Sequence, residues 1–173
     1  MDLPNLDRIV ETHVPLASVK PDPYFAALRR DVAPHLRDLQ SRGQLRWFAF
    51  LLHSRQQLSP PESGEGYIVH LRLESALDIS PEELCTALPA HFENPHPVPR
   101  LGPIADFGDA AFTDRDQAYG WKLFGETSEW VLNLLEDCEG VPGPQLTFQF
   151  LHYATNPLLL GLQSCHVPTR IGF

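Results

Sequence analysis

The chain has 173 residues, of which 43% are hydrophobic and 20% charged, so it can bury the core of one domain over residues 1–173 and is too apolar for wholesale disorder. Its formal net charge of −9 disfavours nucleic acid or an anionic membrane surface as the main partner.

Cysteine usage and hydropathy favour a cytoplasmic protein. The three cysteines lie far apart and show no CxxC spacing, which argues against a disulfide framework, and no metal-ligand signature is present. The N-terminus has no basic-plus-apolar signal region, and no apolar run approaches the ~18 residues of a membrane span. We therefore expect a cytoplasmic location without a membrane partner.

The first 43 residues predict a strand followed by a helix. Arg8 to Leu16 is rich in strand-forming residues and contains a proline that suits an edge strand. A helix is expected over 23–41, with Asp22 at its N-cap. Pro34 should kink or split this helix, and Gly43 should end it.

The next two apolar runs predict a hairpin with a long loop. Residues 44–53 are almost continuously apolar and aromatic, which is typical of a central strand, and Trp47 and Phe48 within this run are expected in the core. A polar connector at 55–65 leads into a second strand at 66–74.

The remaining half predicts helices around an irregular middle. Ser80 to Glu83 matches a capping box, with Pro81 at the first helical position, so a short helix should run to about Leu88. Further along we expect an irregular stretch at 89–112 with an optional short strand at 104–107, a long helix at 113–137, a linker at 140–144, and a helix at 145–156 ended by Pro157. The fold class expected is α+β, a small and mainly antiparallel sheet packed by three to four helices in a single domain.

The strand at 66–74 carries the first functional signal. A two-residue period places His70 and Arg72 on one face, while Val69, Leu71 and Leu73 point to the other. A cationic pair on an otherwise apolar strand suggests an anion site. The plain alternative is that both side chains pair with nearby acids on the sheet.

Short motifs in a particular order give a resemblance to a family. Arg46-Trp47-Phe48 lies on an aromatic strand, and His70-Leu71-Arg72-Leu73 lies on the strand that follows. Leu123-Phe124 with Ser128 lies on a long helix, and His152 and Asn156 lie on the last one. This order, over roughly 23–163, resembles the C-terminal domain of lantibiotic dehydratases, also called the thiopeptide-type bacteriocin biosynthesis domain.

The resemblance implies a biochemistry. Such domains act on ribosomally made peptides, either eliminating glutamate from glutamylated Ser or Thr to leave dehydro-amino acids, or joining two dehydroalanines in a formal [4+2] cycloaddition, as the thiopeptide pyridine synthases do. Neither reaction needs a metal or organic cofactor. The partners implied are a modified precursor peptide or a small-molecule intermediate, together with other biosynthetic enzymes; a homodimer is a further option.

Residue roles follow from the resemblance and from side-chain chemistry. Arg72 would anchor a carboxylate or polarise a carbonyl, since a guanidinium is permanently charged. His152 would transfer the proton, with His70 as a second polar group of the same catalytic site. The substrate-binding residues expected are Arg46, Arg100 and Asn156. The plain alternative for His152 is a core histidine whose hydrogen bonds are satisfied within the protein. For Asn156 it is a helix-end cap.

Two positions depart from the family pattern. Glu74 stands where the family has a second strand arginine, and Asp106-Phe107-Gly108-Asp109 matches the family's Arg-Tyr-Gly-Gly without its arginine. Both losses weaken glutamate elimination in particular. They leave open ring formation, a non-catalytic peptide-binding partner in a modifying complex, and a cyclase acting on a non-peptide natural product.

Overall fold

Four strands and a set of helices make up the part of the chain that the structure, a computed structural model, describes: residues 2–18, 20–55, 66–101, 113–138, 141 and 145. The chain divides into two units, Met1–Asp137 and Cys138–Phe173, and the elements lie in the first. In chain order they are β1 (Ile9–Leu16), α1 (Pro21–Ala27), a π-helical segment (Leu28–Val32), α2 (Ala33–Ser41), β2 (Leu45–Ser54), β3 (Tyr67–Ser75), α3 (Pro81–Ala87), β4 (Glu93–Val98) and α4 (Asp114–Asp137).

The strands form one antiparallel sheet in the order β2-β3-β1-β4. The α+β class and the β2–β3 hairpin predicted from the sequence are confirmed. None of the helices in the described ranges is long and apolar enough to cross a membrane.

Three strand predictions are corrected. β1 is an inner strand, not an edge; Pro15 is tolerated because the pairing with β4 ends at His13, short of the proline. β2, expected to be central, is the last strand on its side among the described residues, and its apolar run is explained by α4 packing along it. Finally, β4 lies in the stretch expected to be irregular; its prolines at 95 and 97 are accommodated because it is an edge strand of the described sheet.

Pro34 interrupts the first helix, as predicted. The backbone widens to a π-helical turn over Leu28–Val32 immediately before α2, which accommodates the missing N–H of the proline. The helix begins at Pro21 with Lys20 at the N-cap, so the predicted start at Asp22 is wrong by about two residues.

The end of α2 forms a Schellman motif. Gly43 has φ +70°, and its N–H donates to the Gln40 carbonyl while the Gln44 N–H donates to that of Leu39. The predicted helix stop at Gly43 is confirmed, because the left-handed conformation favours glycine.

The two later helices in the described ranges also follow their sequence signals. The capping box of α3 is complete: the Glu83 N–H donates to Ser80 Oγ, and the Ser80 N–H donates to the Glu83 carboxylate. At α4, Thr113 and Asp116 make the equivalent reciprocal contacts. The strand expected at 104–107 and residues 146–156 of the last predicted helix lie outside the described residues.

α4 packs against one face of the sheet and along the β2 edge. Near its N-terminal half, the Trp121 ring meets that of Trp47 edge-on at 6.3 Å, and both are buried with Ile9 and Leu101. Ser128 is buried as well, and its Oγ accepts a hydrogen bond of 3.1 Å from the Phe50 N–H of β2. The core position predicted for Trp47 and Phe48 is confirmed, since each is 2% exposed.

Candidate functional site

The sheet register assembles a polar cluster that no single strand reveals. His13 pairs with His70 and Glu11 with Arg72 across β1 and β3, so all four side chains lie on the sheet face that α4 covers in part. We call the full set the sheet-face cluster: Glu11, His13, His53, Arg55, His70, Arg72 and Glu93. The prediction that His70 and Arg72 share a face agrees with this register.

Arg72 lies where the apolar part of this face meets the polar part. Its Nε donates to Glu11 Oε1 at 2.7 Å, and its guanidinium lies over the Trp121 ring at 4.6 Å from the centroid. The side chains of Arg72 and Glu11 are 16% and 20% exposed, so water weakens their attraction only in part. The ion pair and the cation–π contact together fix the guanidinium in one position.

His70 is buried and contacts groups on both neighbouring strands. Its Nε2 lies 3.6 Å from Glu11 Oε2, and its ring meets that of His53 edge-on at 5.2 Å. The other ring nitrogen, Nδ1, is buried and has no hydrogen-bond partner among the described residues. One nitrogen thus faces a carboxylate, and the other is a buried nitrogen with no hydrogen-bond partner among the described residues.

Glu11 connects Arg72 and His70. Burial by itself would raise the pKa of this carboxyl, but the His70 contact and the Arg72 charge outweigh it and lower the pKa to about 2. Glu11 is therefore a carboxylate at any pH near neutrality. The alternative left open by the sequence, that His70 and Arg72 pair with a nearby acid, describes this part of the geometry.

A second arrangement of the same kind lies at the edge of the sheet. His13 Nε2 lies 3.2 Å from Glu93 Oε2, and Arg55 donates to the same carboxylate oxygen at 2.9 Å. The Glu93 carbonyl also accepts a bond of 2.9 Å from Thr12 Oγ1, which fastens the start of β4 to β1. Glu93 is the most exposed of these groups, at 39% of its side chain.

Glu74 and Arg46 lie at the opposite end of the same sheet face. Glu74 is buried and accepts from Arg46 Nη1 at 2.9 Å and from the Asn5 N–H at 3.1 Å. Burial raises its pKa, and the Asn5 and Arg46 contacts oppose that rise. The carboxylate that departs from the family pattern thus ties the N-terminal segment to the sheet and occupies Arg46, one of the predicted substrate-binding residues.

Of the other predicted site residues, the structure describes Arg100, which is not brought to the cluster. Arg100 follows β4 and pairs with Asp7 at 3.3 Å on the surface. His152 and Asn156 lie outside the described residues. No group of three or more His, Cys, Asp or Glu side chains suited to a metal ion occurs in the described ranges.

Sequence reasoning missed Glu11, His13 and Trp121. The alternation of Arg8 to Leu16 already places Glu11 and His13 on one face of a strand, so that signal was present. The alternation does not show which strand pairs with this one, and only the pairing register sets Glu11 opposite Arg72. Trp121 reaches the same place from a helix 49 positions along the chain from Arg72.

Fold and site together define an α+β protein with a charged, histidine-rich cluster on one face of an antiparallel sheet. Comparisons with known protein families, with curated proteins and with solved structures give no match for the chain. The family resemblance accordingly stays a prediction.

Proposed function

We propose that this chain tailors a ribosomally made peptide by cyclisation or elimination at dehydro-amino acids, with His70 as the proton-transfer group of the sheet-face cluster. The observation that carries the proposal is the environment of His70: a buried imidazole with one nitrogen toward a carboxylate and the other without a partner among the described residues. This is the arrangement that general acid–base catalysis uses, a base oriented by a second group.

The charges of the site favour cyclisation over elimination. Arg72 is paired with Glu11, Arg46 with Glu74 and Arg55 with Glu93, so each of these three arginines already binds a carboxylate. A glutamyl carboxylate on the substrate would have to displace one of these partners, and displacing a buried partner leaves a charge without compensation. A substrate that carries dehydroalanine without glutamate meets no such competition.

The chemistry that remains is proton movement. In an elimination, the base takes the α-proton, the Cα–H electron pair forms the Cα=Cβ double bond, and glutamate leaves with the Cβ–O pair. In ring formation between two dehydroalanines, a proton moves between atoms of the peptide as the new bonds form. A positioned imidazole accelerates such transfers by roughly 10²–10⁴-fold.

The test offers the full chain two synthetic peptides, one with two dehydroalanines and one with a glutamylated serine, and follows products by mass spectrometry. We expect ring formation from the first, reduced roughly 100-fold or more by His70→Gln. The matched control is Arg30→Gln, because Arg30 is exposed and bonds the neighbouring Asp31. Equal rates for wild type and His70→Gln, or no product from either peptide, would overturn the proposal; binding without any product would identify a peptide-binding module instead.

A further inference from the structure

The sheet-face cluster orders Arg72, Glu11 and His70 in a chain of contacts. Arg72 Nε lies 2.7 Å from one oxygen of Glu11, and His70 Nε2 lies 3.6 Å from the other. We infer that Glu11 is a positioning residue: it fixes the His70 tautomer that carries its proton on Nε2, so that Nδ1 is the proton acceptor. This inference rests on the proposed function and assigns a role to a residue outside the sequence-predicted site.

The two nitrogens of His70 have opposite surroundings, and this selects the tautomer. A proton on Nε2 points toward the Glu11 carboxylate, whereas a lone pair there would face negative charge. A proton on Nδ1 would be a buried donor without an acceptor among the described residues, which is unfavourable. The Glu11 charge and the missing acceptor at Nδ1 both favour the tautomer with its proton on Nε2. The 3.6 Å separation is longer than a hydrogen bond, and catalytic hydrogen bonds are often long before substrate binds and shorten in the complex.

Arg72 then acts through Glu11. Its guanidinium is held between the Glu11 carboxylate and the Trp121 ring, so it already has two partners on this face. The His70 contact and the Arg72 charge together keep the pKa of this carboxyl low, so burial does not protonate Glu11. A protonated Glu11 would lose most of its preference for Nε2–H, so the Arg72 charge supports this tautomer without contact to substrate.

The groups that face His70 come from three strands. β1 contributes Glu11 and His13, β2 contributes His53, and Arg72 lies two residues along β3 itself. Glu93 contacts His13 and Arg55, just as Glu11 contacts His70 and Arg72. It is therefore also a carboxylate between a histidine and an arginine, but its histidine is His13 and not His70. Glu93 therefore supplies the matched comparison for Glu11.

The test reads the tautomer directly. Long-range ¹H–¹⁵N spectra of the full ¹⁵N-labelled chain above pH 8 separate a protonated from an unprotonated ring nitrogen. We expect His70 of the wild type to show protonated Nε2 and unprotonated Nδ1, Glu11→Gln to give a mixture of tautomers, and Glu93→Gln to leave His70 unchanged. A wild-type His70 with its proton on Nδ1 would overturn the inference even if Glu11→Gln failed to fold, and so would an unchanged tautomer in a folded Glu11→Gln.

The kinetic arm separates this inference from the proposed function. With the dehydroalanine peptide, Glu11→Gln should lower kcat by roughly tenfold or more and leave KM nearly unchanged, since positioning acts in the transition state. A normal kcat in Glu11→Gln would overturn the positioning role in catalysis. The expected tautomer in a chain that turns over neither peptide would support the positioning of His70 and overturn the proposed function.

Discussion

Glu11 is the side chain whose contacts decide the properties of its neighbours. It holds Arg72 at 2.7 Å and faces His70 at 3.6 Å, and both contacts come from β3. The positions of His70 and Arg72 on one face follow from the two-residue period of a strand. Glu11 does not follow from any local pattern, because its partner lies 61 positions away and is set by register.

The acid stability of the protein should report on Glu11. Its pKa in the folded chain is about 2, against an ordinary value of 4.5. A carboxyl with a lowered pKa stabilises the fold fully above pH 4.5, and this contribution is lost as the pH falls toward 2. The shift corresponds to on the order of 3 kcal/mol.

Urea unfolding at a series of pH values measures this effect. We expect the wild type to have a higher free energy of unfolding than Glu11→Gln above pH 4.5. This difference should disappear between pH 4.5 and pH 2, so that the two unfolding curves converge at the acid end. Other carboxylates titrate in both proteins and cancel in the comparison. A constant difference between the two proteins over this range would show that Glu11 is not the stabilising group.

At the scale of the elements, α4 joins several parts of the fold. It meets the sheet face through Trp121, the edge of β2 through Ser128, and α2 through a set of polar contacts made by Arg37. The helix was readable from its cap and apolar spacing, because these signals are local. Its position along β2 could not be predicted, because the sequence of a single segment does not show which elements the segment packs against.

Gly125 marks the closest approach between α4 and β2. A methyl group added at this position would overlap the indole of the buried Trp47. In an open helix, Gly→Ala stabilises by up to about 1 kcal/mol, whereas overpacking a core costs about 1–3 kcal/mol. We therefore expect Gly125→Ala to lower the free energy of unfolding, by up to about 2 kcal/mol once the helix gain is subtracted from the packing cost.

Chemical denaturation with tryptophan fluorescence measures the Gly125→Ala effect. Glu126→Ala, at the adjacent and exposed position, is the control and should change stability by less than about 0.5 kcal/mol. A more stable Gly125→Ala would contradict the close packing of Trp47 against α4.

Arg37 fastens α2 to the C-terminal part of α4. Its guanidinium donates to Glu129, Glu136 and Asn133, and its side chain is 29% exposed. Lysine keeps the charge but not the planar fork, so it cannot hold three acceptors in the same geometry. We expect Arg37→Lys to destabilise the fold by roughly 1–2 kcal/mol.

The control for Arg37→Lys is Arg42→Lys. Arg42 pairs with Asp38 within a single helix turn and is 63% exposed, so its replacement should change the melting temperature little. If calorimetry finds the two variants equally stable, the contacts of Arg37 add nothing beyond those of an ordinary surface pair.

For the molecule as a whole, the α+β class and the positions of most elements could be predicted because caps, stops and hydrophobic periods are local. The strand order could not be predicted in this way. β1 was expected at an edge because of Pro15 and is internal, and β4 was hidden by prolines that an edge strand tolerates. The sheet-face cluster depends on that order, since it brings together groups from all four described strands.

Hydrogen exchange should reproduce the strand order. β3 and β1 each have a paired strand on both sides, so we expect their amides to exchange most slowly in the native protein, with β4 the fastest strand. Exchange followed by NMR resolves these amides one by one. Slowest exchange in β4 would contradict the order of strands.

An NMR titration tests most directly the proposal that the sheet-face cluster binds and processes a peptide containing dehydro-amino acids. The full chain, ¹⁵N-labelled at histidine and arginine, is titrated with a synthetic peptide carrying two dehydroalanines. We predict saturable changes at the His70 ring nitrogens and at Arg72 Nε, with Arg37 Nε unchanged as the internal reference. No change at His70 and Arg72 at high peptide concentration, or an equal change at Arg37, would contradict the claim.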